Sequence, residues 1–182
     1  MVATERKDMT LRLVYGGILT ALGVLLPQIF HIFGQAMGIV LLPMHIPVLL
    51  AGIICGPFVG VVVGFLSPVI SSIFTGMPPA PKLYFMIIEL VAFAFIIGIL
   101  KNKVNIYINL ILALIIGRII YGVAIVIGLY VFHIDSGFIG ASAFISEMIA
   151  GAPGMLVQLI VVPSIYIILK SAGLTIEKDS NK

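Results

Sequence analysis

The sequence predicts an all-α integral membrane protein, a bundle of six transmembrane helices with both ends in the cytoplasm. Three observations predict it. Hydrophobic residues make up 62% of the 182-residue chain and charged residues only 9%, at a mean hydropathy of +1.29. So little charge does not cover a water-facing surface. Apolar runs near the ~20 residues that cross a ~30 Å hydrocarbon core recur along the chain. Basic residues gather on alternate connections, the asymmetry of the positive-inside rule.

The first run covers residues 11–30, after a polar segment of mixed charge. It lacks a small-residue cleavage site, so it reads as a span and not as a signal peptide. The second and third runs, 41–55 and 57–75, are separated only by the turn Cys55-Gly56-Pro57. The fourth, 81–100, stops at Lys101-Asn102-Lys103. The fifth, 104–132, is long enough to tilt. The sixth, 140–169, ends at Lys170. Residues 1–170 thus form one transmembrane domain, and residues 171–182 a polar cytoplasmic tail. With the N-terminus inside, the inner side holds Arg6, Lys7, Arg12, Lys101, Lys103, Lys170, Lys178 and Lys182. The outer side holds Lys82 alone, with Arg118 inside a span. The reverse orientation inverts the bias.

Several functions are excluded early. A net charge of +3 without a basic patch gives no case for nucleic-acid binding. The single cysteine, Cys55, offers neither a disulfide nor a cysteine metal framework. Two loop histidines, His31 and His45, make a weak metal signal without a third ligand. No HExxH occurs, and Ser67, Ser71, Ser72, Ser142 and Ser146 show no nucleophile–base pattern. An intramembrane enzyme is therefore not expected. A self-contained, ion-coupled secondary transporter stays as the alternative class; such proteins usually show internal repeats around a midplane site, and the two halves show no convincing repeat.

Buried charge is costly in a bilayer, so each intramembrane ionisable residue is a candidate for function. Glu89, Arg118 and Glu147 are the three. At 1.5 Å per helical residue, they lie roughly 12, 10 and 10 Å below the outer surface. Three charges from three helices thus share one level in the outer half. Tyr121 follows Arg118 by three residues. Ser67, Ser71 and Thr75 form a hydroxyl stripe at helical spacing, although such hydroxyls also bond their own backbone. Glu147, Gly151, Gly154 and Gln158 share a face, where the glycines leave room beside the polar groups. The outer segments, residues 30–45 with His31, Gln35 and His45, and the proline-stiffened stretch 76–81, can form a lid. Substrate-binding candidates are therefore Arg118, Tyr121, Glu89, Glu147, Ser71, Gln158 and His45. Two readings of Arg118 stay open, a ligand contact or an ion pair with Glu89 or Glu147 that holds the bundle together.

Small residues form two further patterns. Gly52, Gly56, Gly60 and Gly64 repeat every four residues, which lets membrane helices approach closely. Gly17 and Ala21 make a similar face near the inner surface, open either to bundle packing or to a partner.

The run Ile46-Pro47-Val48-Leu49-Leu50-Ala51-Gly52, followed by Gly56-Pro57-Phe58-Val59-Gly60 and Gly64, resembles the substrate-binding S component of energy-coupling factor (ECF) vitamin transporters. The family pattern there is IP-x-L-x-AG, then GP-x-x-G-x-x-x-G. Gly17-xxx-Ala21 stands where that family carries Ala-xxx-Ala. The resemblance implies a vitamin bound from outside under capping loops, in a bacterial plasma membrane. It further implies partners, namely a membrane coupling protein (the T component) docking at Gly17 and Ala21, and two cytoplasmic ATPases. This chain would bind no cofactor itself. It has no Walker A pattern, so ATP would be used by the partners. An arginine in the outer half suits a carboxylate, which favours pantothenate, then folate or niacin, over riboflavin. The riboflavin and folate relatives carry an acidic SD-x-P-like element where this chain has Met44-His45-Ile46-Pro47. If a glutamate already neutralises Arg118, the remaining carboxylate suits hydroxymethylpyrimidine or another thiamine precursor.

Overall fold

The protein is seen in a computed structural model that describes residues 2–32, 34–133 and 141–176. Its helices are α1 (Val2–Ile32), α2 (Gln35–Leu41), α3 (His45–Cys55), α4 (Pro57–Thr75), α5 (Lys82–Ile99), α6 (Ile106–Tyr130) and α7 (Ala141–Ser171). Among the described residues, six stretches are long and apolar enough to cross a membrane. Large apolar side chains such as Phe58, Phe74, Ile115 and Ile160 point outward from the bundle, as a surface solvated by lipid tails requires.

Two features depart from expectation. The segment 30–45, expected as a loop, is largely helical: α1 runs on to Ile32, and α2 follows almost at once. The second crossing is accordingly two helices, α2 and α3, broken at Leu42-Pro43-Met44. The proline disfavours helical backbone at the residue before it, and Leu42 sits at φ 48°. His45 N–H then bonds the Leu42 carbonyl at 3.0 Å. Irregular backbone at membrane depth is stable where it lines a cavity, and Leu42, Pro43 and Met44 do line one.

Helix α3 is the axis of the bundle, buried from Pro47 to Cys55. The glycine series brings neighbours up against it. A Cβ on Gly52 would lie 2.5 Å from the Ala94 carbonyl oxygen, one on Gly60 2.7 Å from Gly52 Cα, and one on Gly64 2.9 Å from the Leu90 carbonyl oxygen. Helices α3, α4 and α5 therefore meet backbone to backbone, which is how membrane helices gain dispersion energy without a hydrophobic driving force. Gly56, at φ +91°, makes the turn that joins α3 to α4.

The far end of α3 is closed by cations. Arg12 Nη1 donates to the Cys55 carbonyl at 2.6 Å. Lys101 Nζ donates to the Ile54 carbonyl at 3.3 Å and to the Ile176 carbonyl at 3.0 Å. These bonds satisfy carbonyls that a helix end leaves open. They also pin the first residues after α7, with Ile176 buried. Of the polar tail, residues 177–182 lie outside the described residues.

Candidate substrate-binding site

A cavity of about 180 Å³ opens at the end of the bundle where α1 ends and α5 begins. The break between α2 and α3 contributes one wall and the prolines after α4 another. Its charged groups and its tyrosine come from α5, α6 and α7, with His45 from the start of α3, Ser71 from α4 and His31 from the end of α1.

At the base lie His45, Glu89 and Arg118, only 2%, 3% and 8% exposed. Arg118 Nη1 is 2.9 Å from Glu89 Oε1, and His45 Nε2 is 3.8 Å from Glu89 Oε2. The arginine–glutamate contact is an ion pair without hydrogen-bond alignment, since Glu89 Oε1 has no hydrogen-bond partner. Arg118 Nε and both His45 ring nitrogens also lack partners. Such groups are expensive to bury unsatisfied. Around this cavity they leave hydrogen-bonding capacity unused.

Glu147 lies nearer the mouth. It accepts a 2.7 Å hydrogen bond from the Tyr121 hydroxyl and pairs with Lys82. The acids divide between the two cations: Glu89 meets the arginine, and Glu147 meets the lysine and the tyrosine. Ser71 lines the same cavity, its hydroxyl donating to the Met77 carbonyl at 2.8 Å. Thr75 donates to the Ser71 carbonyl at 2.7 Å. Ser67, the third of the stripe, is buried with no partner for its hydroxyl.

Six candidates therefore share one chamber: Arg118, Tyr121, Glu89, Glu147, Ser71 and His45. His45 is not the interfacial loop residue expected, because the short α2 returns the chain into the bundle and places it in the first turn of α3. Gln158 does not line the cavity; its amide is buried with neither polar atom partnered. The glycines on that face of α7 leave no free space either. A Cβ on Gly154 would lie 2.5 Å from the Val40 carbonyl oxygen, and one on Gly151 3.2 Å from Leu42 Cδ1. The end of α2 fills the room. Sequence reasoning passed over Lys82 as a site residue, although its isolation among the outer positions was a signal. It also missed Met86 and His31, which line the cavity; the His31 ring lies over Gly38.

Gly17 and Ala21 lie on an exposed face of α1, and a Cβ on Gly17 would meet nothing within 4 Å. Position 17 therefore has open space beside it. Its neighbour Gly16 does face inward, against Val59.

No curated protein and no solved structure matches the chain. A family model does. The family described as "ECF transporter, substrate-specific component" matches residues 11–169, which takes in all six candidate spans apart from the frayed ends of α1 and α7. Its members bind and hand on a substrate and are not enzymes. With this match over most of its length, the chain belongs to the substrate-specific components of ECF transporters.

Proposed function

We propose that the chain captures a compact vitamin or vitamin precursor from outside a bacterial cell, for delivery inward by a membrane coupling protein and two ATPases. The inward-facing end would be the one bearing Arg12, Lys101, Lys103 and Lys170, as the positive-inside rule favours. The cavity then faces the exterior.

The observation that carries the choice of ligand is the charge balance of the chamber. Arg118 is matched by Glu89, and Glu147 by Lys82. A guest without net charge but rich in donors and acceptors suits such a site, with His45, Glu89 and Arg118 satisfied at one end of it. Volume points the same way. A cavity of about 150 Å³ accommodates benzene, so about 180 Å³ suits a single substituted ring and is far too small for folate. Hydroxymethylpyrimidine or a similar thiamine precursor is the reading favoured. Pantothenate is second, supported by the unpartnered Arg118 Nε; its carboxylate would have to displace Glu89.

A thermal-shift screen of the purified chain against B vitamins and their precursors tests both. A ligand at a hundred times its Kd stabilises the folded state by about 2.7 kcal/mol. The pyrimidine should give the large shift. A shift with pantothenate alone would exchange the two readings, and a flat response to the whole panel would overturn vitamin capture.

A further inference from the structure

Helices α5 and α7 face each other across the cavity, yet among the described residues their backbones do not come close together. Helix α5 lies against α3, α4 and α6, whereas α7 lies against α2, α3 and α6. What joins the two is a side-chain contact. Lys82, the first residue of α5, pairs with Glu147 near the start of α7. Tyr121 of α6 holds the second carboxylate oxygen of Glu147. All three line the cavity.

The two ion pairs of the chamber differ in their exposure. The side chains of Lys82 and Glu147 are 28% and 25% exposed, against 9% and 4% for Arg118 and Glu89. An ion pair weakens as water reaches it, toward about 1 kcal/mol or less at full exposure, whereas removing one partner of a buried pair costs about 3–5 kcal/mol. The pair at the mouth is therefore the one that breaks and re-forms readily. Around it, among the described residues, no close α5–α7 backbone contact has to be undone.

We propose that Lys82 and Glu147 form the gate of the chamber, closed across its mouth when they are paired and parted when a guest passes. The proposal rests on this cavity being the vitamin site, and assigns Lys82 to that site as the residue controlling passage. A gate of this kind has a kinetic signature. Abolishing the pair should raise the association rate as well as the dissociation rate. A lysine that instead held the vitamin itself would, on removal, raise dissociation alone.

The experiment uses the full chain in nanodiscs and two readouts, one of them independent of any vitamin. In a Cys55→Ala, Met86→Cys background, the new thiol lines the cavity and reports access to a polar maleimide. Lys82→Met and Glu147→Gln should each speed its modification about five- to tenfold, and the exchanged pair Lys82→Glu/Glu147→Lys should return it to the slow rate. Stopped-flow binding of the vitamin found by thermal shift should show both rate constants rising in the single variants. Labelling unchanged in both single variants would overturn the gate, as would faster dissociation with unchanged association. If no vitamin binds the unaltered chain, the functional reading falls while the labelling rates still decide the gate.

Discussion

The ring of Phe93 occupies the space that a side chain at position 117 would need: a Cβ on Gly117 would come within 2.2 Å of the ring carbons. Phe93 is fully buried, and its ring lies 5.4 Å from that of His45, tilted by 54°. One glycine on α6 thus fixes an aromatic ring on α5, which in turn backs a histidine on α3. The base of the chamber is positioned by contacts made outside it.

Replacing Gly117 with alanine should therefore displace Phe93 and disturb His45. Overpacking of a well-filled interior costs about 1–3 kcal/mol. Thermal unfolding in detergent should show that loss, and calorimetry should show weaker vitamin binding. A variant with unaltered melting and affinity would mean that the ring can move without cost.

Arg118→Ala should be worse for stability than its size suggests, because it leaves the Glu89 carboxylate buried and unpaired. Breaking such a pair costs about 3–5 kcal/mol. The double variant Arg118→Met/Glu89→Leu removes both charges and should recover most of the melting temperature, while binding stays lost. Recovery of binding in the double variant would show that neither charge touches the ligand.

The two glycine faces should respond differently. Gly52→Ala directs a methyl group at the Ala94 backbone, which cannot swing aside as a side chain would, so the bundle should lose stability or fail to assemble. Gly17→Leu meets nothing within the chain and should leave both melting and vitamin affinity intact. ATP-driven uptake in cells carrying the partner subunits should nevertheless fall strongly. Normal uptake by that variant would remove this face from partner docking.

Lys101→Met should free the segment after α7 by removing its bond to the Ile176 carbonyl. Amide exchange at residues 172–176 should rise about tenfold. Vitamin affinity should not change, since the cavity lies at the other end of the bundle. Unaltered exchange would show that the backbone bonds to α7 and the burial of Ile176 hold the segment without Lys101.

The crossings were legible in the sequence because lipid imposes a simple length and polarity requirement. The meeting of Glu89, Arg118 and Glu147 in one chamber was legible from helical rise, although Glu147 sits nearer the mouth than the other two. Their pairing was not, because it depends on helix rotation, which packing decides and linear spacing does not record. Gln158 makes the same point from the other side. It shares a helix face with Glu147, yet α2 covers the glycines between them and the chamber does not extend that far. That cover was hidden because seven residues, Gln35–Leu41, fold as a helix inside a stretch whose length and histidines resembled a loop.

With Gly154 bare, the last turn of α2 rests on the main chain of α7. Any side chain at that position would have to push α2 off α7, and Leu42, the next residue along, is part of the chamber wall. The shape of that wall thus depends on a hydrogen atom standing where every other amino acid carries a carbon.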